Sequence, residues 1–138
     1  MAQTLYCESS DVRIYFGSLN VDRWADLNNS QDPLEIEAAI ESAIEYASSF
    51  VDSQLRGRPY GVPFLLTDPD TGEDILPLEI RDITRKLAGY RLHYARGMED
   101  ADPTIHAAHT DALKQIKQII SGQMIFDLPS SRRAGSFI

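Results

Sequence analysis

Apolar residues along the chain recur mainly at helical spacing and fall into separate blocks. The longest block follows Asp32-Pro33. Asp32 is a good cap, and Pro33 suits a first helical position because its missing N–H is not needed there. From that point to about Arg56, Ile36, Ile40, Ala43, Ile44, Ala47 and Val51 share one stripe, and Gly57 stops the helix. A second long helix is predicted from about Leu78 to Tyr94 or Arg96. Its seam is Ile80, Ile83, Leu87, Tyr90 and Tyr94, and Gly97 ends it. A third runs from about Pro103 to Ser121, with a seam of Ile105, Ala112, Leu113, Ile116, Ile119 and Ile120 and a stop at Gly122.

Two short helices precede these. Ser9 and Ser10 can cap one from Asp11 to Phe16 that Gly17 ends, and Asn20 can cap another to about Leu27, with Trp24 and Leu27 on its apolar face. Between the first two long helices, Pro59, Gly61, Pro63, Pro69 and Gly72 exclude a helix. Phe64-Leu65-Leu66 and Ile75-Leu76 flank Asp68-Pro-Asp-Thr-Gly72, which is turn chemistry, so a β-hairpin is expected over about 62–76. Its unpaired edges would call for a covering neighbour, which makes Phe64 and Leu66 candidate inter-subunit contacts. The expected fold is therefore mainly α: a compact helical bundle with an inserted hairpin over residues 1–128, followed by an extended C-terminal arm over 129–138.

That arm reads Pro129-Ser-Ser-Arg-Arg-Ala-Gly-Ser-Phe-Ile138. Arg132 and Arg133 can pair with acidic groups, and Phe137 and Ile138 can fill an apolar groove. Ala134-Gly135-Ser136 forms a small-residue spacer between these anchors. Arg132, Arg133, Phe137 and Ile138 are the candidate docking residues for another chain.

Composition narrows the function. At 138 residues, 43% hydrophobic and 25% charged, the chain suits one globular domain. A net charge of −8 argues against nucleic-acid binding as its main activity, because duplex affinity comes largely from phosphate neutralisation. Cys7 is the single cysteine, so no intrachain disulfide is possible. The N-terminal stretch lacks the basic and apolar regions of a secretory signal, and no apolar run approaches the ~20 residues of a membrane span. A host-cytoplasmic place of assembly is expected.

Candidate chemistry is sparse. Asp68 to Glu79 imitates a calcium loop, but Gly72 stands where a ligand belongs. His106 and His109, with Asp111 nearby, are spaced three apart rather than in the zinc-helix pattern. His109 shares the phase of Ile105, Leu113 and Ile116, so a core or interface histidine is the better reading. No nucleophile elbow, phosphate loop or dinucleotide fingerprint occurs. No catalytic role, cofactor or metal is expected.

Charge patterning is more informative. Glu37, Glu41, Glu45 and Asp52 lie along one flank of the first long helix, where like charges four apart cost roughly 0.2–0.5 kcal/mol per pair. Arg81, Arg85 and Arg96 line a flank of the next. The stripes could meet within a subunit, face water or meet between subunits. Head-to-tail contacts of that last kind close into a ring when the rotation allows.

The order of these pieces resembles the Mu-type head–tail connector, or adaptor, subunits of tailed phages. The resemblance is carried by Val12-Arg-Ile-Tyr-Phe16-Gly17, the helix Ile36 to Asp52, Leu55-Arg-Gly-Arg-Pro-Tyr60 with Pro63, Leu78 to Tyr94, and Ala112 to Gly122. It covers roughly residues 5–128, and the arm follows no family pattern. It implies a virion protein at the head–tail interface, forming a ring with copies of itself, expected to be twelvefold. The ring would sit beneath the portal protein and contact the tail or a tail-completion protein. DNA would pass through its channel without specific binding. A rival reading is a helical DNA-binding packaging accessory or regulator, using Arg81, Arg85, Lys86, Arg91 and Arg96.

Overall fold

The computed structural model describes residues 4–55, 66–67, 70–95 and 103–121. Among these residues five helices run in chain order: α1 (Ser9–Phe16), α2 (Ser18–Ala25), α3 (Pro33–Leu55), α4 (Leu78–Ala95) and α5 (Pro103–Ile120). No described helix is long and apolar enough to cross a membrane. The arm, and with it Arg132, Arg133, Phe137 and Ile138, lies outside the described residues, as does Phe64.

The long helices form where the apolar stripes predict them. Asp32 caps α3, its Oδ1 accepting from the Leu34 N–H at 3.0 Å. Ile40, Ala43, Ile44, Ala47 and Val51 are buried along α3, with Ile36 packed at the margin. On α5 the buried residues are Ile105, Ala108, Ala112, Ile116 and Ile119, while Leu113 and Ile120 are only partly covered.

The caps of the short helices differ from expectation. Glu8, not Ser9 or Ser10, precedes α1: its side chain accepts from the Asp11 N–H, and Asp11 accepts from the Glu8 N–H. Asn20 lies inside α2, where its Nδ2 donates to the Phe16 carbonyl at 3.0 Å, capping the end of α1. Gly17 makes the corner between the two helices at φ +94°, a conformation that favours glycine. Because α2 stops at Ala25, Leu27 falls beyond it and is 51% exposed, so only Trp24 of the expected pair is buried.

The expected hairpin is not supported as an apolar-armed ribbon. Among the described residues, β1 (Leu66–Thr67) pairs with β2 (Asp74–Ile75) through Leu66↔Ile75 and Thr67↔Asp74 alone. Ile75 and Leu76 pack against the helical core rather than stand away from it. Burial of these side chains outweighs extension of a solvent-exposed ladder.

Helix α4 is the centre of the molecule and packs against α1, α2, α3 and α5. Its buried residues, Ile80, Ile83, Thr84, Lys86, Leu87, Ala88, Gly89, Leu92 and His93, surround most of the helix rather than one stripe. Tyr94, assigned to the seam by spacing, is 51% exposed, because the helix end projects its ring to the surface. Small residues admit neighbours from several directions. Thr84 satisfies its buried hydroxyl by donating to the Ile80 carbonyl at 2.8 Å.

Candidate interaction site

Two aromatic arrays flank α4. On the side of the short helices, Tyr15 meets Phe16 edge-on at 4.7 Å, Phe16 meets Trp24 at 5.6 Å, and Trp24 meets His93 at 5.1 Å. Phe16, Trp24 and His93 are buried, so this array is structural. On the opposite side, Tyr90 stacks on His109 of α5 with centroids 3.9 Å apart and lies 6.0 Å from Tyr94. The Arg91 guanidinium sits 3.9 Å above the Tyr46 ring of α3.

This second array lines an open groove of about 280 Å³ between α3, α4 and α5. Phe50 and Leu87 form apolar walls, Tyr46 and Tyr94 stand half exposed, and Tyr90 and His109 complete the lining. Burial, and then repulsion from His106, lowers the His109 pKa below its usual value, favouring the neutral imidazole. The groove thus offers apolar and aromatic surface with a cation at its edge. That chemistry suits an apolar or aromatic chain segment. Among the described residues no group of three or more His, Cys, Asp and Glu side chains could hold a metal.

Arg96 of the basic stripe lies outside the described residues, and among those described the two stripes are not joined. Glu37 accepts from Arg13 at 3.3 Å, an arginine that also pairs with Asp22. Asp52 accepts from the Tyr6 hydroxyl, and the Tyr6 N–H donates to Ser48 Oγ at 3.1 Å, strapping the N-terminal segment to α3. Arg85 binds Asp82 on its own helix at 2.8 Å and lies over the Tyr15 ring at 4.9 Å. Glu41 and Arg81 line one cleft beside Tyr6 and Cys7, but no ion pair among the described residues joins the two stripes. Glu41, Glu45 and Arg81 are exposed.

Lys86 has the reverse arrangement. It is 6% exposed, and its ammonium contacts Asp82 at 2.8 Å, Asp111 at 2.6 Å and Gln115 Oε1 at 3.0 Å. Burial alone would depress the lysine pKa, but the bonds to Asp111 and Asp82 outweigh it and raise it. Asp82 is lowered in turn: its own burial is outweighed by hydrogen bonds from Lys86 and Arg85. The cluster is a clamp between α4 and α5. Of the cations that could have made α4 a DNA-reading helix, Lys86, Arg85 and Arg91 are therefore held by contacts inside the subunit.

The model of the family described as "Bacteriophage Mu, Gp36" matches residues 6–136. The chain belongs to this family. The Gp36 match is a match to a bacteriophage protein, and it runs through residues 129–136, so most of the arm lies within the family's extent. It thereby corrects the expectation that the pattern stops near Leu128. No curated protein matches the chain.

Among the Gp36 segments that carried the resemblance, two meet in the fold: Phe16 of the aromatic-glycine pair lies directly against Gly89. The aromatic groove was missed by sequence reasoning. Tyr90 and Tyr94 were assigned to a core seam by their four-residue spacing, and nothing in that spacing distinguishes a core tyrosine from a groove rim. Arg91 beside Tyr90 was the available signal, since a helix position next to the seam that carries a cation marks its edge.

Proposed function

We propose that this Gp36-family chain is a structural, non-catalytic head–tail connector subunit, which assembles as a ring beneath a portal and joins it to the tail. The observation that carries the reading is a set of large apolar side chains on the outside of a well-packed domain. Leu19 is 86% exposed, Leu34 80%, Ile14 76% and Leu78 68%, in a subunit that buries most of its other described aliphatic residues. Exposed apolar surface of this kind suits protein partners better than a polyanion or a small substrate. Family membership supports a phage assembly role. The net charge of −8 suits a channel wall that does not grip passing DNA.

In this reading Glu41, Glu45 and Arg81 are available to neighbouring subunits, and the arm residues Arg132, Arg133, Phe137 and Ile138 to the portal or a neighbour. The ring is expected to be twelvefold. Co-expression with the portal of the same phage, followed by electron microscopy, tests it: a portal-bound ring is the expected image. A chain that stays apart from the portal but retards duplex DNA at moderate salt would overturn the connector reading in favour of a packaging accessory.

A further inference from the structure

We infer that the aromatic groove of one subunit seats the first turn of α3 from a second copy, with Leu34 between Tyr46 and Tyr94 and Glu35 on Arg91. The groove lining holds one permanent cation, Arg91, and no carboxylate. Arg91 is held over the Tyr46 ring and forms no ion pair among the described residues. Charge therefore selects an occupant that is apolar and acidic over one that is apolar and cationic.

The chain itself carries such a segment. Leu34 is 80% exposed, and Glu35 beside it is exposed and in no ion pair among the described residues. Asp26 and Asp32 precede them, and no lysine or arginine occurs between Arg23 and Arg56. Arg13 reaches α3 at Glu37 but is shared with Asp22. The segment is also fixed in shape: Asp26 accepts from the N–H groups of Ser30 at 2.9 Å and Gln31 at 3.0 Å, and Glu35 accepts from the Ser30 hydroxyl. The other strongly exposed aliphatic side chains lie beside cations. Ile14 adjoins Arg13, Leu19 lies one helical turn from Arg23, and Leu78 lies one turn from Arg81, so like charge would meet Arg91 there.

Helix geometry requires the second copy. Because α3 is one continuous helix, Leu34 and Tyr46 of a single subunit stay twelve residues apart, about 18 Å along the axis. A subunit therefore cannot fill its groove with its own Leu34. The groove and the first turn of α3 are different patches on one molecule, so their contact is head-to-tail and repeats from copy to copy. The inference deepens the connector reading, on which it rests for the second copy, by naming the surfaces through which neighbouring subunits meet.

The test uses the full chain with the photo-crosslinking residue p-benzoylphenylalanine substituted at Tyr94, both alone at high concentration and co-expressed with the portal. Irradiation should give a product with the mobility of two chains, joined to peptides carrying Leu34 and Glu35. Adding Glu35→Arg should lower the yield roughly two- to fivefold, the span of an exposed ion pair. Arg91→Glu in that background should restore part of it, with folding of each variant verified by circular dichroism. A yield unmoved by Glu35→Arg would refute the charge match that selects this occupant. A one-chain product, or a crosslink to the portal or to the α1–α2 corner of another copy in place of Leu34, would overturn the proposal by giving the groove a different occupant. Absence of the two-chain product from both samples would overturn it as well. The two readings fail separately. A portal-bound ring without this crosslink removes the contact and keeps the connector, whereas the crosslink in a chain that never binds the portal keeps the contact and removes the connector.

Discussion

The Phe16 ring occupies the space where Gly89 would carry a side chain: a Cβ built on Gly89 falls 2.0 Å from Phe16 Cε2. Gly89 is in mid-helix and fully surrounded, a position where glycine costs about 1 kcal/mol relative to alanine. The cost is offset by what the missing side chain admits. Phe16 reaches the α4 backbone and holds the α1–α2 corner to the long helices, with Trp24 against its edge at 5.6 Å.

Gly89→Ala should therefore destabilise the protein despite improving helix propensity. Overpacking of this kind costs about 1–3 kcal/mol. Thermal unfolding should show a lowered midpoint, and Phe16→Leu in the same chain should recover part of the loss. A Gly89→Ala protein as stable as its parent would refute the contact.

Lys86→Met should weaken the α4–α5 clamp by about 1.5–3 kcal/mol, the range for hydrogen bonds to charged groups. The pH dependence follows from the two shifts. Asp82 is lowered from an ordinary 3.8, so its contribution is complete above that pH and is lost as pH falls through the depressed value. Lys86 is raised from an ordinary 10.5, so its contribution is complete below that pH and is lost as pH rises through the raised value. Urea midpoints for parent and variant should differ most between these limits and converge in acid.

Cys7 should be inert in the folded protein. It is 5% exposed, and burial, followed by the nearby Asp11 charge, pushes its pKa up to about 12. A thiolate fraction reduced ~10³-fold relative to an ordinary thiol should make alkylation at pH 8 correspondingly slow. Iodoacetamide labelling followed by mass spectrometry should be slow in buffer and fast in urea. Rapid labelling of the native chain would show that the N-terminal strap is open.

His109 should make the protein less stable in mild acid. Its lowered pKa means that the unfolded chain binds the proton first, so stability falls as pH drops below the ordinary 6.5 and levels off below the folded value. His106→Gln removes the second cause of the depression and should move the His109 titration upward in an NMR pH series. A His109 midpoint at or above 6.5 in the parent would contradict its burial against Tyr90.

The long helices were legible because a stripe such as Ile40, Ala43, Ile44, Ala47 and Val51 repeats at the period of the helix itself. Their ends were legible because Pro33, with Asp32 before it, acts within one turn. The hairpin was not. Turn residues and apolar flanks specify a reversal of direction, but whether Ile75 and Leu76 extend a ribbon or fold onto the core depends on surface offered by distant residues. The cap of α1 was missed for a related reason: Glu8, Ser9 and Ser10 were all available, and only the reciprocal bond with Asp11 selected Glu8.

What the sequence determined by itself was therefore local: the helical periods, the stops between them, the acidic balance and the family pattern. Tertiary structure decided which residues of like chemistry do different work. Arg85, Lys86 and Arg91 are near neighbours on one helix, yet one pairs with Asp82, one is buried in a clamp to α5, and one lies on Tyr46. Tyr90 and Tyr94 share a helical face, yet one is stacked on His109 and the other is half exposed. A helix fixes the direction of each side chain, but burial and partners are fixed by neighbours brought from far along the chain. Those neighbours exist only once α4 is enclosed by the other helices.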